Sequence, residues 1–156
     1  MIEMAVPADK GEQQVHITIP SHYRNIARVR EFISGVVQTV PVGEDGAYDL
    51  VLATVEAVTN AIRHAGAKQV RLEVATNSDR IAVRIIDRGH GFAFYPEKCD
   101  FPCLEELGGR GLPLMYNLMD ELTVKSEPGR GTEVTLIKKF TGVNNHSQSK
   151  AGVANA

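Results

Sequence analysis

Cysteine is scarce in this chain: Cys99 and Cys103 are the two thiols among 156 residues. A Cys-x3-Cys pair builds no disulfide scaffold and completes no zinc site, so the fold must rest on its core, and the usage fits a reducing compartment. Long apolar runs are lacking as well. No stretch approaches the roughly 18 residues that a membrane span requires. The N-terminal MIEMAVPADKGEQQ carries acidic residues and no apolar centre, unlike a secretory signal. Neither sign of charge is in excess. With 17 Lys+Arg against 19 Asp+Glu the formal net charge is -2, which gives no electrostatic reason to expect nucleic acid or an anionic membrane. Together these absences describe a cytoplasmic protein whose partners are proteins and small molecules.

What is present describes one domain. The chain is 43% hydrophobic and 23% charged, a globular balance, and a chain this long should bury roughly 70% of its unfolded surface. Residues 1–12 and the tail 142–156 are polar and aperiodic and are expected to be flexible, leaving a single ordered domain over 13–141. Within it, Val15, Ile17 and Ile19 alternate with polar residues as in a half-buried strand ending at Pro20. Ser21 is placed to cap a helix carrying Ile26, Val29, Ile33, Val36, Val37 and Val40, which should stop before Pro41. A second helix is predicted from about Tyr48 to Ala65, with Val51, Val55, Val58 and Ile62 as its apolar stripe and Gly66 as its stop.

Two hairpins follow by the same alternation, one across Asn77-Ser78-Asp79 and one across Glu127-Pro128-Gly129-Arg130-Gly131. Between them, residues 92–108 show neither helical nor strand period, and so long a loop in a compact domain reads as a lid. A short helix over Leu112–Leu118 tolerates Pro113 in its first turn. Hairpins interleaved with helices predict an α+β two-layer sandwich: one mixed, mostly antiparallel sheet with helices on one face.

Four local patterns bear chemistry. Glu56, Asn60 and His64 stand at i, i+4 and i+8, on one helix face opposite the valine stripe, flanked by Ala53, Ala57 and Ala61, which leave room for something bulky. Asp87-Arg88-Gly89-His90-Gly91-Phe92 follows a strand directly. Its glycines permit close backbone approach, and its carboxylate is an acceptor suited to an exocyclic amine such as adenine's. Gly108-Gly109-Arg110-Gly111-Leu112 opens a helix, where free N–H groups and the dipole favour phosphate. Gly131-Thr132 brings a hydroxyl to the start of the last strand. Taken singly, these are also what a solvated helix face, a tight turn, a linker and a hairpin end look like. A Rossmann reading fails for want of the third glycine and an immediate helix.

In this order, ExxxNAxxH, DxGxG, GxGL and GT resemble the GHKL (Bergerat-fold) ATP-binding superfamily. The wording VEAVTNAIRHA, DRGHGF, GRGLPLMYNLMDELTV and GRGTEVTLIKKF is similar to the RsbW/SpoIIAB-like anti-sigma factor serine/threonine-protein kinases, over roughly Val15 to Phe140. The resemblance implies ATP/ADP and Mg2+ as cofactors, Asn60 as Mg2+ ligand, Glu56 as catalytic base for a serine hydroxyl, and Asp87 as acceptor for adenine. It implies nucleotide contacts from Gly89, Gly91, Gly109, Arg110, Gly111, Leu112 and Thr132, with Arg28 on the first helix as a partner contact. Its implied partners are a sigma factor, a STAS-domain anti-anti-sigma protein and a second copy in a homodimer. The chain departs from the pattern at Pro113, where a second glycine is common, and at Cys99-x3-Cys103 in the lid.

The resulting expectation is an anti-sigma factor and ATP-dependent serine kinase that phosphorylates a STAS-domain antagonist. A non-catalytic ATP-binding switch is the alternative. Ser21-His22 at a helix start raises a third, a histidine-kinase-like catalytic fragment.

Overall fold

The computed structural model describes residues 3–5, 11–93 and 111–140. Alternation produces the sheet. Strands β1 (Glu3–Ala5), β2 (Gln13–Pro20), β3 (Gln69–Thr76), β4 (Arg80–Asp87), β5 (Glu121–Glu127) and β6 (Gly131–Lys139) stand in the order β1-β2-β3-β4-β6-β5. All five pairings are antiparallel. In β3 and β4 every second residue is buried, and register places Ile17 beside Leu72, Leu72 beside Ile85, Ile85 beside Val134 and Val134 beside Val124. That row runs across one face. The helices α1 (Ile26–Val37), α2 (Glu44–His64) and α3 (Gly111–Leu118) contribute Val29, Ile33, Leu50, Val58 and Met115 to the same core cluster. The expected two-layer α+β architecture is therefore the observed one.

The opposite face of the sheet carries charges. Arg84 bridges Glu73 at 2.6 Å and Glu133 at 3.0 Å, and Arg71 reaches Glu73 at 2.8 Å. These half-exposed pairs join three strands and, being solvated, add little to stability.

Local chemistry moves several boundaries from their expected places. Ser21 caps no helix. The chain first makes a 3-10 turn, Tyr23–Asn25, whose cap is His22, with the Arg24 N–H donating to its Nδ1 at 3.0 Å. Buried Asn25 then donates from Nδ2 to the Pro20 carbonyl at 2.8 Å, tying the helix start to the strand end. Helix α1 stops at Val37, short of Val40, because the Thr39 N–H and Oγ1 both donate to the Val36 carbonyl and tighten the last turn. Helix α2 begins at Glu44 rather than near Tyr48, with Glu44 and Asp45 matching the positive end of its dipole. It ends as expected, with Gly66 at φ +66° just past the last turn. Glu3–Ala5, within a stretch expected to lack structure, pairs with Gln14–His16.

The apolar stripe of α2 also differs from expectation. Of the expected stripe, Val55 and Val58 are buried, together with Leu50, Ala53, Thr54, Ala57 and Ala61, whereas Val51 and Ile62 are only partly so. A helix lying flat on a sheet brings backbone close to backbone, and alanine is what fits beneath it; the bulkier Val51 and Ile62 are displaced to the flanks. Thr54, fully buried, satisfies its hydroxyl on the Leu50 carbonyl at 2.7 Å.

Leu72 is fully buried at the centre of the inward face. Leu72→Ala is expected to lower the unfolding free energy by about 2–5 kcal/mol, read as an earlier urea midpoint with the slope unchanged.

Candidate functional site

The inward rows of β4, β5 and β6 end differently from how they run. In β4 the inward positions are Ile81, Val83, Ile85 and then Asp87. In β6, read toward its start, they are Leu136, Val134 and then Thr132, and in β5 they are Leu122, Val124 and then Ser126. Register puts Asp87 beside Thr132 and Thr132 beside Ser126. One polar rung therefore closes an apolar face, on the side of the sheet where the helices lie.

Asp87 is only 6% exposed. Its Oδ1 accepts the Gly89 N–H at 2.9 Å, and the Thr132 N–H also donates to the carboxylate. Burial pushes the carboxyl above its ordinary range while these two backbone donors pull the other way. The side chain is thus a desolvated acceptor, fixed in direction by backbone it does not control.

Close approach of three segments holds that carboxylate. The loop after β4 passes between the end of α2 and the β5–β6 turn, with the His90 N–H donating to the Ala65 carbonyl at 2.7 Å and the Gly129 N–H to the His90 carbonyl at 2.6 Å. A Cβ on Gly89 would overlap the Ala65 carbonyl oxygen. One on Gly91, at φ +62°, would overlap the carbonyl of Glu127. Glycine at these two positions is a packing requirement.

Above the polar rung lies a cavity between α2, α3 and the sheet. Ala57, Asn60, Ala61 and His64 line it from α2, Leu112 and Met115 from α3, and Asp87, Gly91, Phe92 and Thr132 from the sheet end and its loop. Asn60, His64, Asp87, Gly91, Leu112 and Thr132, singled out from sequence, are therefore brought together. Gly89 acts from behind, through its N–H. Glu56 is half-buried one turn before Asn60 and is not among the lining residues. Gly111 opens α3. Gly109, Arg110, Cys99, Cys103, most of the expected lid and the tail 142–156 lie outside the described residues.

Arg28 is elsewhere. It is exposed on α1 and lines a groove of about 610 Å3 between α1, β2 and β3, against about 90 Å3 for the cavity at the polar rung. The groove is larger, but among the described residues its lining holds no buried carboxylate fixed by backbone donors as Asp87 is. Chemistry rather than size assigns the site to the rung.

Sequence reading missed Ser126, Phe92 and Met115. Ser126 could have been found by extending the Leu122, Val124 parity one step. Phe92 and Met115 carry no local signal beyond being apolar.

The family model described as the histidine kinase-like ATPase domain matches residues 19–138. The chain belongs to the histidine kinase-like ATPase domain family. It is an RsbW-like member, similar to an anti-sigma F factor of Clostridium beijerinckii at 34% identity, over 85% of this chain and 99% of that one. It is also similar to the serine-protein kinases RsbW of Staphylococcus aureus, at 30% identity over 88% and 94%, and of Bacillus velezensis, at 33% over 82% and 86%. Among solved structures, the RsbU and RsbW domains of a Mycobacterium tuberculosis protein share the fold, with a TM-score of 0.61 at 22% identity. That match covers 80% of this chain and 32% of that chain. Membership implies that the chain binds a nucleotide. Among the described residues no helix is long and apolar enough to cross a membrane.

The raised Asp87 carboxyl fixes the sign of two effects. It takes up a proton at a higher pH than a free aspartate, and a protonated carboxyl loses acceptor capacity, so a ligand donor held by Asp87 should be released on acidification sooner than an ordinary carboxylate would dictate. The fold also binds that proton more tightly than the unfolded chain does. Its charge is therefore a stability cost that sets in as pH rises from the ordinary aspartate range through the raised value, and is fully present at neutral pH. Asp87→Asn should accordingly lose roughly tenfold or more in ATP affinity without lowering the neutral-pH melting temperature. Calorimetric titration and thermal melts across pH check both.

Proposed function

We propose that this chain is an ATP- and Mg2+-dependent protein-serine kinase that also binds a sigma factor and phosphorylates a STAS-domain anti-anti-sigma protein. The observation that carries the proposal is the arrangement of the cavity, in which Asp87 offers a fixed acceptor at one end while Asn60 presents its amide from α2. In this reading residues 13–141 act as one kinase domain with a lid over about 92–108, in a homodimer in the cytoplasm. Arg28, exposed on α1 away from the cavity, is available to a protein partner.

Asp87 receives the exocyclic amine of adenine, and the apolar lining from Ala57, Ala61, Leu112 and Met115 accepts the ring. The alanine-width steps at Ala57 and Ala61 leave the base space without exposing the core. The Asn60 side-chain amide makes no hydrogen bond among the described residues, and those residues contain no cluster of three or more His, Cys, Asp or Glu side chains that could hold a metal. A neutral oxygen acting with phosphates and waters is a donor set that Mg2+ accepts. Bound there, Mg2+ would neutralise charge on the transferred phosphate. Gly109, Arg110, Gly111 and Leu112 supply amide and guanidinium donors to the phosphates at the start of α3, where the helix dipole helps. Glu56, one turn before Asn60, takes the proton of the incoming serine hydroxyl.

Support comes from the near full-length similarity to proteins named serine-protein kinase RsbW and anti-sigma F factor. The placement of Glu56 outside the cavity lining favours one second reading: a partner-switching module that binds ATP without transferring phosphate. The histidine-kinase reading has less support, since His22 is engaged in capping the turn through Nδ1.

Glu56→Ala separates the two. ATP affinity should stay within about threefold of wild type, since Glu56 makes no base contact, while phosphate transfer to a STAS-domain substrate should fall by about 100-fold or more. Equal transfer by wild type and variant would remove Glu56 as base; no transfer by either, with ATP still bound, would leave the switch.

A further inference from the structure

The inward row of β6 carries a polar residue at both of its ends. Thr132 closes it at the cavity, and at the far end, beyond Val134 and Leu136, Lys138 stands beside buried Ile81 of β4. Its side chain is only 18% exposed. Packing alone calls for an apolar residue at such a position, because a largely buried ammonium loses hydration that must be replaced. The replacement comes from two helices. Lys138 Nζ donates to the carbonyl of Leu118, the last residue of α3, at 2.7 Å, and it lies 3.7 Å from Asp49 Oδ2 near the start of α2.

A carbonyl at the C-terminal end of a helix has no partner within the helix and carries the negative end of its dipole, so an ammonium is well matched there. Helix α3 has particular need of such a fixture. Its eight residues are fewer than a helix needs to hold itself in water. Leu112, Met115 and Met119 hold this segment in the core, but apolar contact is non-directional and methionine adapts to small shifts. These residues choose the buried face without fixing the helix along its axis. The chain just past the helix is tied to the same strand, with the Asp120 N–H donating to the Ile137 carbonyl at 3.0 Å and the Lys139 N–H to Asp120 Oδ2 at 2.6 Å. Directional bonds thus hold the carbonyl end of α3 to β6, while its other end, with Leu112, lines the cavity.

We propose that Lys138 is a positioning residue for the nucleotide: by holding the carbonyl end of α3, it sets where the opposite end of that helix presents Gly111 and Leu112, about 10 Å away along the axis. Asp49 offsets the positive end of the α2 dipole, beside which a lone ammonium would be disfavoured. Strand β6 thereby shapes the cavity twice, directly through Thr132 and, by way of Lys138, through α3. This inference rests on the nucleotide reading of the cavity and adds to it a residue that touches no ligand.

The test uses the full chain with Mg2+ and ATP, at a temperature where every variant is folded. Lys138→Met, which keeps an unbranched stem and loses the ammonium, should weaken ATP binding by about fivefold or more, the range of coupling between separated sites. Lys138→Arg, which keeps the charge and its donors, should stay within about twofold of wild type. Leu72→Ala, which loosens the core at β3, separates positioning from stability: it should melt earlier yet bind ATP as wild type does. Without ligand, the Gly111 and Leu112 amide resonances should move in Lys138→Met while those of Gly89 and Thr132 stay in place. Lys138→Gln, uncharged and shorter, carries the same expectations if the methionine variant does not fold. Unchanged ATP affinity on loss of the ammonium, or an equal weakening in Leu72→Ala, overturns the role of Lys138 and leaves the nucleotide site standing. A wild-type chain that takes up no ATP overturns the nucleotide reading, and this inference with it.

Discussion

A buried carboxylate at the end of a strand is expensive to keep, and the organisation of this protein follows from how that expense is met. Asp87 occupies the position where the Ile81, Val83, Ile85 alternation calls for a fourth apolar residue. It is largely withdrawn from water, and compensation comes from two backbone donors, Gly89 on its own loop and Thr132 on the neighbouring strand. Neither donor can be moved without moving a strand or a loop. The loop is itself clamped between the Ala65 carbonyl at the end of α2 and the β5–β6 turn, at distances that leave no space for a side chain at Gly89 or Gly91. The acceptor is consequently preorganised: its direction is settled on folding rather than on binding. Two donors do not fully offset the lost hydration, which is why the carboxyl sits above its ordinary range and remains eager for a further donor.

The helix over this rung is shaped by the same closeness. Ala53, Ala57 and Ala61 let α2 lie low on the sheet, and two of them, Ala57 and Ala61, also form a wall of the cavity. One set of small side chains thus serves both core packing and the site. A larger residue there would lift the helix and fill the pocket at once. Asn60 and His64 rise from the adjacent flank of the same helix, so a polar end and an apolar wall come from a single rigid element.

Much of this was legible in the chain. Period-2 alternation located β2 to β6, Gly66 marked the end of α2, and the order of four glycine- and carboxylate-bearing patterns pointed to one fold. The misses have physical causes. A three-residue strand such as Glu3–Ala5 has too few residues to show alternation. Valine outranks alanine as an apolar residue, so the stripe of α2 was read from Val51 and Ile62, although a helix lying on a sheet buries its smallest side chains deepest. Ser21 looked like a cap by type, whereas the chain needed a 3-10 turn between Pro20 and α1 and used His22. The grouping of Asp87 with Thr132 and Ser126 depends on the register of β4 against β6, strands far apart in sequence, which no single-strand pattern contains. Parity alone hinted at it, because each of the three continues an inward-facing series.

The rung of Asp87 and Thr132 is proposed to read the base of an adenine nucleotide. Backbone amide resonances followed during titration of the chain with Mg-ATP, and separately with Mg-GTP, test it most directly, since Gly89 and Thr132 donate to the very carboxylate that would receive the adenine amine. The Gly89 and Thr132 amides should shift progressively with ATP and hardly with GTP. Shifts confined to the α1 groove around Arg28, or equal responses to the two nucleotides at Gly89 and Thr132, would contradict it.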